Sequence, residues 1–258
     1  MKKPFNPILG ETSQGRIGEY EIAIEQTCHH PPITHFQIWH PEDDSVKIEG
    51  YFEYCAKTSM NSFKGRKLGP LTVRCKEIEV SIQFPLFQFA GIMYKKRTVN
   101  FADVMTVRDD RNGIYAEIVF NPDQRKGFTS YFWSSKTRAD YFEGVICTYD
   151  DINYKKRRNT KNAPNDYLAK IEGHWLEEMR VGNEQYWHID EFKPYAYRER
   201  QDPLPSDARF REDLVCLKFG DIPEAQIWKE KLENVQRSDR SLRARAEKAR
   251  GGKKKGWF

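Results

Sequence analysis

Long apolar runs are missing from this 258-residue chain: no stretch approaches the roughly 20 residues that a membrane-crossing helix needs. The N-terminus, Met1-Lys2-Lys3-Pro4-Phe5-Asn6-Pro7, has no apolar segment behind its lysines and does not read as a secretory signal. Cysteine is sparse and scattered. Cys28, Cys55, Cys75, Cys147 and Cys216 form an odd set without a Cys-x-x-Cys pair. That argues against a disulfide framework or a zinc site and for a reducing cytosol. No repeat of fixed period is visible. A nucleophile elbow, a P-loop and a dinucleotide fingerprint are also absent, so no enzymatic activity, cofactor or metal is expected.

What the chain does contain is aromatic side chains, 14% of its residues, and charge, 31%. Aromatics spread through a chain favour a folded, strand-rich protein. The net charge of +5 is unevenly placed. Lys155-Lys156-Arg157-Arg158 with Lys161 forms one basic cluster, and residues 237–255 form another, opposed only by Asp239 and Glu247. Such clusters attract polyanions, either nucleic acid or the anionic face of a membrane, unless they are simply solvated.

As far as about Tyr197, most of the chain reads as strand. In Tyr20-Glu21-Ile22-Ala23-Ile24-Glu25 apolar and charged residues alternate, as in a strand with one wet face. Similar stretches are residues 46–54, 71–84, 113–120, 129–133, 140–149, 167–175 and 185–192, with turn signals such as Asp109-Asp110-Arg111-Asn112-Gly113 between them. Strands in a row without interleaved helices predict a mainly β fold, an antiparallel sheet curved or closed as a barrel. The pattern changes near Ser206. Residues 208–217 read as one short helix stopped at Phe219-Gly220. A second helix starts at Asp221-Ile222-Pro223-Glu224, where Asp221 can cap and Pro223 fits the first turn. Trp228, Leu232 and Val235 give it an apolar stripe. From Arg237 on the stripe is lost, so residues 1–236 are read as one domain (strand-rich 1–200, helical 206–236) and 237–258 as a basic tail.

Three segments could carry chemistry. The first is the turn Lys3-Pro4-Phe5-Asn6-Pro7-Ile8-Leu9-Gly10-Glu11. The second is Glu25-Gln26-Thr27-Cys28-His29-His30-Pro31-Pro32, where the prolines are expected to end regular pairing and let both histidines face one ligand. The third is Lys229, Glu233 and Arg237, four residues apart and so aligned on one side of the last helix. A histidine pair with Lys and Arg partners suits an anionic phosphate, which would also favour protonation of the imidazoles. Polar caps at a strand end account for the histidines equally well, and a solvated charge ladder accounts for the helix. A metal site lacks a third ligand, and a Cys28–His29 nucleophile pair lacks a third group.

Together the segments carry a resemblance. Glu25-Gln26-Thr27-Cys28-His29-His30-Pro31-Pro32 resembles the signature of the oxysterol-binding protein family, with Thr27-Cys28 standing where Val-Ser is usual. Lys3-Pro4-Phe5-Asn6-Pro7-Ile8-Leu9-Gly10-Glu11-Thr12 is similar to the opening of that family's phosphoinositide site. Leu204-Pro205-Ser206-Asp207-Ala208-Arg209-Phe210-Arg211-Glu212-Asp213, then Gly220-Asp221 and residues 229–237, resemble its C-terminal pattern. The resemblance implies a large incomplete β-barrel around a lipid tunnel, with C-terminal α-helices. It implies a protein that binds phosphatidylinositol 4-phosphate and exchanges it for a sterol or another lipid, working from the cytosol at an anionic membrane surface. By position, Lys3, Asn6, His29, His30, Lys229, Glu233 and Arg237 would hold the head group: Lys3, the histidines and Arg237 on phosphates, Lys229 on phosphate or inositol, Glu233 accepting from inositol hydroxyls, Asn6 near the glycerol-side phosphate. Met1 stands two residues before Lys3, so the stretch that carries the family's lid has no counterpart here, and the lid's sterol contacts are expected to be missing. An adaptor that binds phosphoinositide membranes without transfer is the alternative. A nucleic-acid partner, which would use the basic clusters, is not expected, because it leaves the first two motifs unexplained.

Overall fold

A computed structural model describes residues 6–43, 45–94, 96–122, 138–148 and 167–250. Lys3, the expected strand at 129–133, the basic cluster at 155–161 and residues 251–258 lie outside these. Among the described residues fifteen strands form one antiparallel sheet: β1 (Thr12–Ile17), β2 (Tyr20–His29), β3 (Pro32–Trp39), β4 (Val46–Thr58), β5 (Ser62–Leu68), β6 (Leu71–Cys75), β7 (Ile78–Gln83), β8 (Leu86–Ala90), β9 (Thr98–Asp109), β10 (Ile114–Phe120), β11 (Tyr141–Thr148), β12 (Ala169–His174), β13 (Glu178–Val181), β14 (Glu184–His188) and β15 (Tyr197–Glu199). Two helices follow, α1 (Glu212–Lys218) and α2 (Ile222–Ala249).

The spatial order is β14-β13-β12-β11-β10-β9-β7-β6-β4-β3-β2-β1-β15. Its outer strands, β14 and β15, do not pair with each other among the described residues, so the sheet does not close. It forks instead. β4 pairs with β6 through Val46–Gly50 and with β5 through residues 53–58. β9 pairs with β8 through residues 98–102 and with β7 through residues 106–108.

Period-two alternation divides the sheet into two faces. Ile24, Phe36, Gly50, Leu71, Ile82, Val107, Ala116, Ile146 and Ala169 follow one another across nine strands, each opposite the next. Beside it runs Ile22, Ile38, Ile48, Val73 and Val80. The adjacent rows, for example Gln37, Glu49, Thr72, Ser81 and Arg108, are polar and belong to the other face. On the apolar face Ala116, Ile118, Phe120, Phe142 and Ile171 form the buried core, with Phe101, Met105 and Val107 packed against it. Phe87 lies where a Cβ on Gly65 would stand, 2.0 Å from its ring, so only glycine admits that aromatic.

Local chemistry explains several element ends. The turn between β9 and β10 is built by Asp109, whose carboxylate accepts from the Asn112 backbone N–H (3.0 Å) and amide (2.6 Å). Gly113 then takes φ +63°, where a side chain is strained. Asp221 caps α2 by accepting from the Glu224 N–H at 3.1 Å, with Pro223 in the first turn, as expected.

Some boundaries differ from expectation. Residues 71–84 are not one strand but the hairpin β6–β7, turning at Lys76 (φ +53°), where Lys76-Glu77 gives no Gly or Pro signal. Residues 185–192 leave the sheet after His188, whose Nδ1 accepts from the Asp190 N–H and starts a 3₁₀ turn. Residues 208–217 are two pieces, a 3₁₀ turn Ala208–Phe210 and α1, because Arg211 between them is extended. Helix α2 continues through residues 237–249, the start of the stretch read as a tail. Its packed face is also rotated from the expected stripe. Ala225 is fully buried and Val235 is exposed, and the half-buried positions are Glu224, Gln226, Trp228, Lys229, Leu232, Glu233 and Gln236.

Candidate functional site

The histidine pair owes its placement to a bulge. In β2 and β3, Gln26 faces Thr34 but Cys28 faces Ile33, so Thr27 is an extra residue in β2. Gln26, almost wholly buried, holds the bulge: its Nε2 donates to the Cys28 carbonyl (2.6 Å) and its Oε1 accepts from Thr34 Oγ1 (2.6 Å). Thr27 Oγ1 bonds outward, 2.7 Å from His35 Nδ1. Beyond it His29 faces Pro32, and the cis His30–Pro31 peptide lies in the turn. The prolines therefore do not end the ladder. They make the hairpin, and Pro32 opens β3. The imidazoles lie edge to face, with centroids 4.5 Å apart and 67° between planes. Such adjacency is closed to neighbours on a regular strand.

A buried arginine brings the N-terminal turn to this hairpin and to the helices. Arg211 Nη1 donates to Glu11 Oε2 (2.6 Å) and to the Asn6 carbonyl (3.1 Å), and its Nε and Nη2 hold both oxygens of Asp213 (2.7 and 3.2 Å). Arg211 and Glu11, 200 positions apart, are nearly buried, and Asp213 is wholly so. Glu11 also accepts from the Ile8 N–H at 2.9 Å, closing the turn. The turn in turn joins β2, since Gly10 N donates to the Gln26 carbonyl (2.8 Å) and Gln26 N to the Glu11 carbonyl (2.9 Å). Asn6 itself is exposed. Through Arg211 and Gln26, three segments remote in sequence share one end of the sheet.

Helix α2 completes the arrangement. Lys229 and Glu233 are half-buried on its packed side. Arg237 is 70% exposed, with its guanidinium on Glu233 (2.9 Å) and Asn234 (3.1 Å). One turn on, Arg240 comes near enough to act on His30 electrostatically. The His30 pKa is held below the usual imidazole value by partial desolvation first, then by His29 and Arg240. At 100° per residue, Lys229, Glu233, Gln236 and Arg240 share one helical face. The Gln236 Nε2 is buried there with no hydrogen-bond partner among the described residues.

The structure thus sets His30 within electrostatic range of Arg240, on the helix that carries Lys229, Glu233 and Arg237, and ties Asn6 to the hairpin's end of the sheet through Arg211; no hydrogen bond or ion pair links those three helix residues to the histidines among the described residues. Reading the chain alone passed over Gln26, Arg211 and Asp213, although each stands inside a quoted motif. It also passed over Gln236 and Arg240, whose only signal is their spacing from Lys229. Chemically the cluster offers imidazole, ammonium and guanidinium donors beside one carboxylate acceptor, a set fitted to a phosphorylated, hydroxyl-rich ligand. Among the described residues no three His, Cys, Asp or Glu side chains converge as metal ligands. No described helix is long and apolar enough to cross a membrane.

Comparison with known proteins gives a consistent answer. The profile of a family described as oxysterol-binding protein matches residues 1–258. Oxysterol-binding protein 9 of Dictyostelium discoideum is 31% identical over 244 residues, covering 93% of this chain and 56% of that protein. The chain thus spans about half the length of that relative. Among solved structures, the Osh3 ORD in complex with PI(4)P from Saccharomyces cerevisiae aligns over 93% of this chain and 64% of its own, with TM-score 0.67 and 19% identity. The Osh1 ORD domain in complex with ergosterol aligns over 99% and 64%, with TM-score 0.64 and 20% identity. Both share the large antiparallel sheet with C-terminal helices.

Proposed function

The chain belongs to the oxysterol-binding protein family, and on that premise we propose that it binds phosphatidylinositol 4-phosphate and exchanges it for a sterol or another lipid between membranes. The observation that carries this reading is the pair of imidazoles set 4.5 Å apart by the bulged hairpin, with Arg240, on the helix bearing Lys229, Glu233 and Arg237, within electrostatic range of His30. In this reading His29, His30 and Arg237, with Lys3, hold phosphate oxygens. Lys229 reaches phosphate or inositol, Glu233 accepts from inositol hydroxyls, and Asn6 lies toward the glycerol. The uninterrupted apolar rows of the sheet would receive acyl chains or a sterol body. The Osh3 domain was solved with PI(4)P and the Osh1 domain with ergosterol and with cholesterol, and both ligand types are carried over here by likeness. The protein works from the cytosol as a peripheral visitor to anionic membranes.

The test is extraction of phosphatidylinositol 4-phosphate from vesicles by the wild type and by a His29→Ala/His30→Ala variant. Extraction should be lost in the variant while its circular dichroism is unchanged, since each charge-assisted contact is worth about 1.5–3 kcal/mol. Equal extraction by both proteins would refute the assignment of the site. Binding to vesicles without transfer between donor and acceptor populations would select the adaptor role instead.

A further inference from the structure

The end of the molecule that carries the His29–His30 hairpin also carries four strongly exposed apolar side chains that the head-group site does not use. Two loops meet there, residues 59–61 after β4 and residues 91–94 after β8. Met60 is 78% exposed, Ile92 47%, Met93 73% and Tyr94 54%. The exposure is built in. Asn61 Oδ1 accepts from the backbone N–H groups of Met93 (3.0 Å) and Tyr94 (3.1 Å), and its Nδ2 donates to the Tyr94 carbonyl (3.1 Å). The Asn61 carbonyl accepts from Gly91 N at 3.1 Å and Ile92 N at 3.4 Å. One side chain and its own peptide hold the two loops together with their apolar residues turned out.

Three further features say what covers this tip. Its position is forward: β4 passes Ile33 of the hairpin strand at Glu53 and runs on to Thr58. At about 3.3 Å per residue its end lies about 16 Å beyond that row, farther than Pro31, two residues past Ile33. Its flanks are cationic. Lys57 and Lys64 stand opposite each other across β4 and β5, and Lys96 and Arg97, just before β9, are exposed. None of the four has a carboxylate partner among the described residues. Like charges facing across a ladder are unfavourable unless an anion relieves them. Behind the tip, Phe63, Phe89 and Val99 continue the apolar surface inward, with Phe89 39% and Val99 55% exposed.

We propose that this tip is the element by which the protein docks on an anionic bilayer, with Met60, Ile92, Met93 and Tyr94 entering the acyl boundary and Lys57, Lys64, Lys96 and Arg97 resting among the head groups. Tyrosine suits that boundary, having an apolar ring and a wet hydroxyl. The inference rests on the reading of the hairpin as a lipid head-group site, because docking by this tip turns that site toward the membrane it draws from. A protein partner would need carboxylates to meet the cations, whereas an anionic leaflet supplies its charge everywhere along the contact.

The experiment is flotation with phosphatidylcholine vesicles containing phosphatidylserine, run beside titration with a soluble short-chain phosphatidylinositol 4-phosphate. Met60→Asp/Met93→Asp should weaken flotation roughly tenfold or more. Lys57→Gln/Lys64→Gln should weaken it about fivefold per lysine at low salt and little at high salt. Both variants should bind the short-chain lipid as the wild type does, which also reports that they are folded. Docking by this tip is overturned if the wild type does not float, if the variants float equally, or if the wild type dimerises without lipid and the aspartates abolish the dimer. Failure to bind the short-chain lipid, by contrast, overturns the head-group reading and leaves the flotation result to decide the tip.

Discussion

Replacing Arg211 with methionine removes the cation on which the N-terminal turn and the helices converge. Its guanidinium serves Glu11, both oxygens of Asp213 and the Asn6 carbonyl at 2.6–3.2 Å, in a setting where none of the three side chains is more than 9% exposed. Methionine fills much of the volume but leaves two buried carboxylates, and the Asn6 carbonyl, without the guanidinium. Breaking a buried pair from one side costs about 3–5 kcal/mol, a large part of the stability of an ordinary domain. Urea unfolding followed by tryptophan fluorescence should show the midpoint fall with the slope kept. Adding Asp213→Leu should recover part of the loss, since an apolar replacement of a buried pair is often close to neutral. Short-chain phosphatidylinositol 4-phosphate should bind less tightly to the single variant under conditions where it is still folded, because the turn carrying Asn6 has lost its tie to α1. A single variant with an unshifted midpoint, or a double variant whose losses simply add, would refute the role given to Arg211.

Other consequences can be measured separately. His30 is held below the ordinary imidazole pKa by desolvation, His29 and Arg240, so it is mainly neutral in the free protein at pH 7 and should take up a proton as a phosphomonoester binds. Affinity should then rise as pH falls from about 7.5 to about 6, before phosphate protonation reverses it, and calorimetry in two buffers should show proton uptake that His30→Ala abolishes. Arg240→Gln should cost about tenfold in affinity for the short-chain lipid, comparable with Arg237→Gln; no loss would remove Arg240 from the site. Lys67 is buried without a hydrogen-bond partner, between the rings of Phe52 and Phe84 at 4.1 Å, and desolvation lowers its pKa from 10.5 to about 8. The folded state then sheds this proton before the unfolded one, so stability should increase as pH rises from about 8 toward 10.5. Lys67→Met should abolish that increase and be more stable at pH 7 by up to about 3 kcal/mol, read from paired urea titrations.

The sheet was legible where alternation was strict, as in Tyr20–Glu25, and where turns carried Gly or Pro. It was misread where polar residues turned the chain, as at Lys76-Glu77, because a turn of ordinary side chains leaves no compositional mark. The histidines and Lys229, Glu233 and Arg237 stood out as motifs. What joins them did not, because Arg211 looks like any surface arginine until Glu11 closes on it from 200 positions away. Burial likewise hides Lys67 in the run Lys64-Gly65-Arg66-Lys67. Within α2 the charged positions after Arg237 all read as solvated, and only the electrostatic reach of Arg240 to His30 distinguishes it. The bulge at Thr27 depends on the pairing of Gln26 with Thr34, a property of two strands together.

The fork in the sheet has a mechanical meaning. Because β4 and β9 each hold two neighbours along one edge, they are linked by two routes, one through β5 and β8 and one through β6 and β7. These routes make a closed circuit of ladders, which an ordinary sheet lacks. Sliding any strand of the circuit by one residue would require every other member to slide with it. The register around Lys67 and Phe87 is therefore secured by connectivity as well as by side-chain fit.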